Sequence, residues 1–228
     1  MVSVPEAAVG LAQEKGGAAT WLYRYLLALR FALFNVVIFG LVAAIYLQGW
    51  LDGALEGYTA WLSAGIFLVF CYGLALCGDR IWRVSRELND VRSGALRPGS
   101  RAAKYVESVV DKAPEARNLR ANVLRFRIAN HISVVRHTAN SLVFLGLVGT
   151  VIGFIVALSA VDPQSSVSVE NVAPMVATLI NGMSIALYTT LLGAVLHLWL
   201  LVNYRMLATG AMHLFNAIVD LGERRVGN

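Results

Sequence analysis

The stretches Ser141–Ala160, SLVFLGLVGTVIGFIVALSA, and Leu179–Asn203, LINGMSIALYTTLLGAVLHLWLLVN, decide the fold. Each is long enough to cross a bilayer as a helix, which takes on the order of 20 mostly apolar residues. Neither contains an Asp, Glu, Lys or Arg. Each carries a threonine near its centre, Thr150 and Thr190. Thr150 lies about ten residues from Ser141 and Thr190 about eleven from Leu179, so at about 1.5 Å per residue both sit near the bilayer midplane. A hydroxyl at that depth costs free energy unless it meets a partner, so two at one level point to a polar surface shared between helices.

The residues around the threonines are small and regularly spaced. Gly146, Gly149 and Gly153 recur in LGLVGTVIGF, and Gly182, Ala186, Thr189 and Gly193 recur in NGMSIALYTTLLGAVLH. Small residues at three- and four-residue intervals let helix backbones approach closely in lipid. Thr190 falls beside the second stripe. Within one helix, a threonine hydroxyl also has the option of bonding its own i−4 carbonyl.

Working outward, the chain is 57% hydrophobic and only 14% charged, the balance of a membrane protein. Two further apolar runs, about Leu26–Leu47 and a shorter one at about Trp61–Cys77, bring the expected spans to four. The expectation is an all-α polytopic membrane protein with four transmembrane helices and a cytoplasmic helical segment between the second and third. Its expected divisions are an N-terminal segment 1–25, a first helix pair 26–78, a cytoplasmic region 79–140, a third and fourth span 141–204, and a C-terminal helix 205–228. The first twenty residues have no apolar core and one basic residue, so the first run reads as a retained span rather than a signal peptide.

Charge sets the expected orientation. Residues 78–140 hold thirteen of the nineteen Lys and Arg. The connections Gln48–Ala60 and Val161–Val172 hold Asp52, Glu56, Asp162 and Glu170 but no Lys or Arg. Basic loops stay cytoplasmic, so both termini and the basic segment are expected inside. Trp21 and Trp82 then fall at cytoplasmic ends and Trp50 and Trp61 at outer ends, in the headgroup zone that aromatic residues favour. The net charge of +5 reads as a topology signal, and no nucleic-acid binding is expected.

Arg97-Pro98-Gly99 and Ala113-Pro114 divide the region 79–140 into three helical pieces. No Gly or Pro separates Pro114 from the third span, so one helix is expected to run through. A similar extension past Asn203 places Leu207, Met212, Phe215, Ile218 and Val219 on one helix face. Arg30 lies about one turn inside the first run and can extend to the headgroups, while Asn35, deeper, can bond across a helix interface or simply pack in one. His131, His137 and His213 lack metal-ligand spacing, and Cys71 and Cys77 form no redox motif. No cofactor is expected. With no paired membrane carboxylates, no Ser/His/Asp set at one depth and no phosphate loop, no enzyme is expected either.

None of the four apolar cores contains an Asp or Glu. Any carboxylate that binds a cation at membrane depth must then come from another chain.

At LVGTVIGF, NVAPMVATLINGMSIAL and YTTLLGAVL, within Ser141–Tyr204, the sequence resembles the MotA/TolQ/ExbB family of ion-driven membrane motors. The four-span layout is similar to the MotA branch. Ile185 stands where ExbB-like and TolQ-like members carry an acidic residue. The resemblance implies a homopentamer in the bacterial inner membrane enclosing a dimer of a single-span MotB/ExbD/TolR-like partner whose aspartate carries the ion. It implies an ion pathway at Thr150, Thr189 and Thr190, with His197 as a further candidate and Gly146, Gly149, Gly153, Gly182, Ala186 and Gly193 packing the helices. The transported ion stays open between H⁺ and Na⁺, for which the three threonines offer hard oxygen donors. A non-conducting membrane scaffold is the alternative reading.

Overall fold

The computed structural model describes residues 26–48, 58–93, 97–110, 112–159 and 169–226. Trp21, Trp50, Asp52, Glu56 and Asp162, which entered the orientation argument, lie outside the described residues. Among the described residues the regular elements are five helices, α1 Leu26–Leu47, α2 Tyr58–Arg92, α3 Arg101–Val109, α4 Pro114–Leu158 and α5 Val169–Val226. Four of them, α1, α2, α4 and α5, are long and apolar enough to cross a membrane. The chain is thus an all-helical, multi-pass membrane protein.

Local chemistry explains the helix ends. Gly99 takes a positive φ of 84° in the turn before α3, a conformation that costs glycine little. Ser100 then caps α3, its Oγ accepting from the Ala103 N–H at 3.1 Å. The buried face of α3, Ala102, Tyr105, Val106 and Val109, follows the helical repeat. Pro114 opens α4 at the position where its missing N–H is no loss, and Glu115 in that first turn suits the positive end of the helix dipole. Arg224 and Arg225 complement the opposite end of α5.

Two expected boundaries move. The helix that holds the expected second span Trp61–Cys77 is longer than that run, because nothing after Cys77 breaks it and α2 continues to Arg92. The helix that holds the fourth begins before Leu179: α5 starts at Val169 and takes up part of the connection expected at Val161–Val172. Pro174 is tolerated near that start, at the loss of one backbone hydrogen bond.

The described residues form two packing units. One takes in residues up to Val36, Gly78–His131 and those from Met206 onward. In it Arg117 pairs with Glu223 at 3.2 Å, and an Arg80 guanidinium N–H donates to the His131 carbonyl. The buried stripe of α5 here is Leu207, Ala211, Leu214 and Ile218, each fully buried. This corrects the expected face, since Met212 is 41% exposed. A stripe chosen by side-chain size overlooked Ala211, which the i, i+4, i+7 repeat requires.

The other unit holds Val37–Cys77 and Ile132–Arg205. Trp199 anchors it, with Phe39 edge-on at 4.7 Å and Phe70 at 4.8 Å between ring centroids. Phe70, Leu142 and Leu200 are fully buried there. Gly73 leaves the space that the Leu200 side chain occupies.

Candidate functional site

Within the second unit, α4 and α5 pack along the two small-residue stripes, running antiparallel to one another. A Cβ added at Gly153 would lie 2.6 Å from the Ala186 nitrogen and the Gly182 oxygen. One at Gly182 would lie 2.6 Å from the Ala157 Cα, and one at Gly193 would lie 2.8 Å from the Leu142 oxygen. These distances are far inside van der Waals contact, so the backbones approach only because the side chains are absent. Gly146 is less tight, at 3.3 Å from the Thr189 oxygen, and Gly149 faces the Thr189 side chain.

Against this surface the three threonines separate. Thr189 is fully buried, and its hydroxyl donates within its own helix, to Ile185 O at 2.9 Å with Ala186 O at 3.1 Å. Thr190 crosses the interface, its hydroxyl donating to Gly146 O at 3.2 Å. Thr150 donates back to Leu147 O at 2.6 Å. Because Gly149 packs on Thr189, Thr150 lies at the level of the Thr189–Thr190 pair. The hydroxyls share a depth, but no hydrogen bond joins Thr150 to Thr190 directly.

His197 makes the second polar crossing. Its Nδ1 lies 2.8 Å from Ala139 O. A carbonyl oxygen only accepts, so Nδ1 carries the proton. Sequence spacing shows a histidine two turns after Thr190 but not this bond, because the acceptor is a backbone atom with no residue signature. Other polar groups missed by sequence reasoning are buried in the same unit: Ser63, Thr138 and Asn203. Thr138 donates to Val134 O at 3.0 Å and Asn203 to Trp199 O at 3.0 Å. A run of leucines around a lone Asn gives no signal of which way it faces. Asn35, in the other unit, is buried and donates to Phe31 O at 2.8 Å.

Outside the seam both helices are apolar and open. Leu147, Val151, Phe154 and Leu158 on α4, with Leu187, Leu191 and Leu198 on α5, are each more than half exposed. Side chains of this kind need lipid or other chains around them. Among the described residues no cluster of His, Cys, Asp or Glu is disposed to hold a metal ion.

A tightly packed antiparallel helix pair, its apolar spans free of carboxylates and carrying threonines at midspan, defines the class: a multi-pass membrane protein with a polar seam between two of its spans. The sequence profile of the MotA/TolQ/ExbB proton channel family matches residues 102–220, more than half of the chain, and the chain belongs to that family. The match takes in α3 from its second residue, all of α4 and most of α5, well beyond the Ser141–Tyr204 stretch that carried the resemblance. The family is one of channels and energy transducers rather than enzymes. No curated protein and no solved structure matches the chain.

Proposed function

We propose that this chain is the pore-forming subunit of an ion-driven motor in a bacterial inner membrane. Five copies would enclose a dimer of a single-span partner of the MotB/ExbD/TolR type, whose membrane aspartate binds the ion. The observation that carries the reading is the level of three threonine oxygens, Thr150, Thr189 and Thr190, in spans with no Asp or Glu of their own.

Their hydrogen bonds refine the chemistry. A threonine hydroxyl has one proton and two lone pairs, and each of these protons is already given to a backbone carbonyl. Thr189 is fully buried and keeps its oxygen inside the α4–α5 interface, so what remains to offer is the acceptor oxygen of Thr150 and Thr190. Such oxygens suit a protonated carboxyl group or a Na⁺ ion better than an ionised carboxylate, which would compete for protons already committed. A partner aspartate would therefore gain a partner here when protonated and lose it when ionised. Ion binding and release would shift its preference between subunits, and that shift is the coupling of ion flow to rotation or force. H⁺ and Na⁺ both fit.

The spent protons also favour a second reading, a non-conducting scaffold in which the hydroxyls serve only the packing of α4 on α5. Co-expression with a single-span partner bearing a membrane aspartate, followed by imaging and by ion flux in proteoliposomes, separates the two. The motor reading expects a pentamer around a dimer, and flux that Thr150→Val or Thr190→Val abolishes without loss of assembly. Full flux in both variants, or assembly without any single-span partner, would overturn it.

A further inference from the structure

Outside the threonine seam, α3 and the N-terminal part of α4 enclose a cleft of about 650 Å³ within one packing unit. Arg101 and Lys104 line it from α3, and Arg120 and Arg127 from α4, with Tyr105 and His131 between them. Among the described residues no Asp or Glu lines it. Arg120, Arg127 and His131 follow one another at seven- and four-residue intervals, which places them on one face of α4.

The cations are largely uncommitted. The side chains of Lys104, Arg120 and Arg127 make no ion pair or hydrogen bond with the described residues. Arg101 reaches Glu87 only at 4.0 Å, and the other Glu87 oxygen is held by the Arg101 backbone N–H at 3.0 Å. His131 Nε2 is buried and has no hydrogen-bond partner among the described residues. That atom is closed off from solvent, so the cleft is built from the four cations and the Tyr105 phenol. The Tyr105 phenol, protonated at neutral pH and with its pKa pushed further above the ordinary value of 10.0 by burial and then by Glu223 against the pull of Arg117, is a donor on the cleft wall. Positive-inside topology accounts for an excess of basic residues in this part of the chain, but not for the convergence of Lys104, Arg120 and Arg127 on one cleft without acidic partners among the described residues.

We infer that this cleft binds a phosphate-bearing anion. Arginine forks match phosphate oxygens in pairs, and several unpaired cations around one cavity call for a multiply charged ligand. The volume falls in the range of small-molecule sites, roughly 300–1,000 Å³, so it has room for an organic phosphate as well as for pyrophosphate. A phospholipid headgroup has the same chemistry. Arg127 is about 21 Å along the α4 axis from Ser141, where the apolar span begins, at about 1.5 Å per residue. The headgroup layer is only roughly 7 Å deep on each side. Depth therefore favours a soluble phosphate over a lipid.

The test uses the full chain in nanodiscs of zwitterionic phosphatidylcholine, titrated calorimetrically with inorganic pyrophosphate. Saturable binding is expected, weakened about tenfold or more by Arg120→Gln or Arg127→Gln, as befits a lost charge-assisted hydrogen bond. Arg125→Gln, an exposed change on the same helix away from the cleft, should leave binding unaltered. In a second arm, native mass spectrometry follows phosphatidylglycerol retained from anionic nanodiscs. Retention that falls in the two cleft variants, with no pyrophosphate binding, would assign the cleft to a lipid phosphate. Binding of neither probe, or equal loss with Arg125→Gln, would overturn the proposal.

Discussion

Thr190 and His197 each reach across to a backbone carbonyl of the facing helix, Gly146 and Ala139, and the two crossings are seven residues apart on both helices. Two turns of α5 thus match two turns of α4, and one register serves both bonds. The glycines between them hold the backbones close enough for a threonine, one of the shortest polar side chains, to span the gap. Packing and polar contact are therefore one device, since widening the interface would break the Thr190 bond.

Thr190→Val removes that crossing while keeping the shape of the side chain. Interhelical hydrogen bonds in membranes average only about 0.6 kcal/mol, so a loss of that order is expected in the thermal unfolding of the purified protein. Thr189→Val should cost less, because its hydroxyl serves carbonyls already bonded within α5. Equal costs for the two variants would show that the crossing contributes nothing specific.

Gly153→Ala and Gly182→Ala each drive a methyl into the facing backbone, which cannot turn aside as a side chain can. A destabilisation of about 1–3 kcal/mol is expected for each, measured by denaturation in detergent. Gly146→Ala should be milder, with 3.3 Å to its nearest neighbour. Gly65→Ala meets no atom within 4 Å and should be neutral or stabilise the chain by up to about 1 kcal/mol through helix propensity.

Much of the seam was legible in the sequence because glycine spacing and helical periodicity are both local. Gly146, Gly149 and Gly153 had to share a face, and so did Gly182, Ala186, Thr189 and Gly193. The direction of each hydroxyl proton was not legible, since its acceptor is a main-chain atom selected by the rotation of one helix against the other. The same rotation hid the buried faces of Asn203 and Thr138. On the distal part of α5, choosing the larger apolar residues shifted the stripe onto Met212, whereas the packed face uses Ala211 and Leu214. Small residues carry little hydropathy signal there, yet close helix contacts select them. The cleft on α3 and α4 depends on how two helices meet, which the charge count of residues 78–140 does not encode.

Tyr105 gives the fold a pH dependence of known sign. Burial first, and the charge of Glu223 second, raise its pKa above the ordinary value of 10.0, with Arg117 acting the other way. The folded state therefore holds the phenolic proton more tightly than the unfolded chain does. The stabilisation is complete below the ordinary tyrosine value and is lost as the pH rises through the raised one. Tyr105→Phe keeps the ring that packs on Gly222 and removes the ionisable group. Its unfolding temperature should fall less steeply than that of the parent protein above about pH 10. Parallel alkaline limbs would show that Tyr105 does not carry the effect.

His197 offers the most direct test of the antiparallel register. With Nδ1 donating to Ala139 O, the ring is fixed in the Nδ1–H form whenever it is neutral, and Nε2 is left as an acceptor. Nitrogen-15 NMR of the labelled protein should report that form, rather than the Nε2–H form that usually prevails in free imidazole side chains. His197→Asn places an amide N–H near the position of Nδ1 and should retain most of the stability. His197→Phe fills the space without a donor and should lose about 1 kcal/mol, the net worth of a typical buried hydrogen bond. If Thr190 and His197 act through one register, the double variant Thr190→Val, His197→Phe should lose more than the sum of its parts, because either bond alone still holds the two helices in phase. Strict additivity would mean that the glycine stripes set the register without help from the polar crossings.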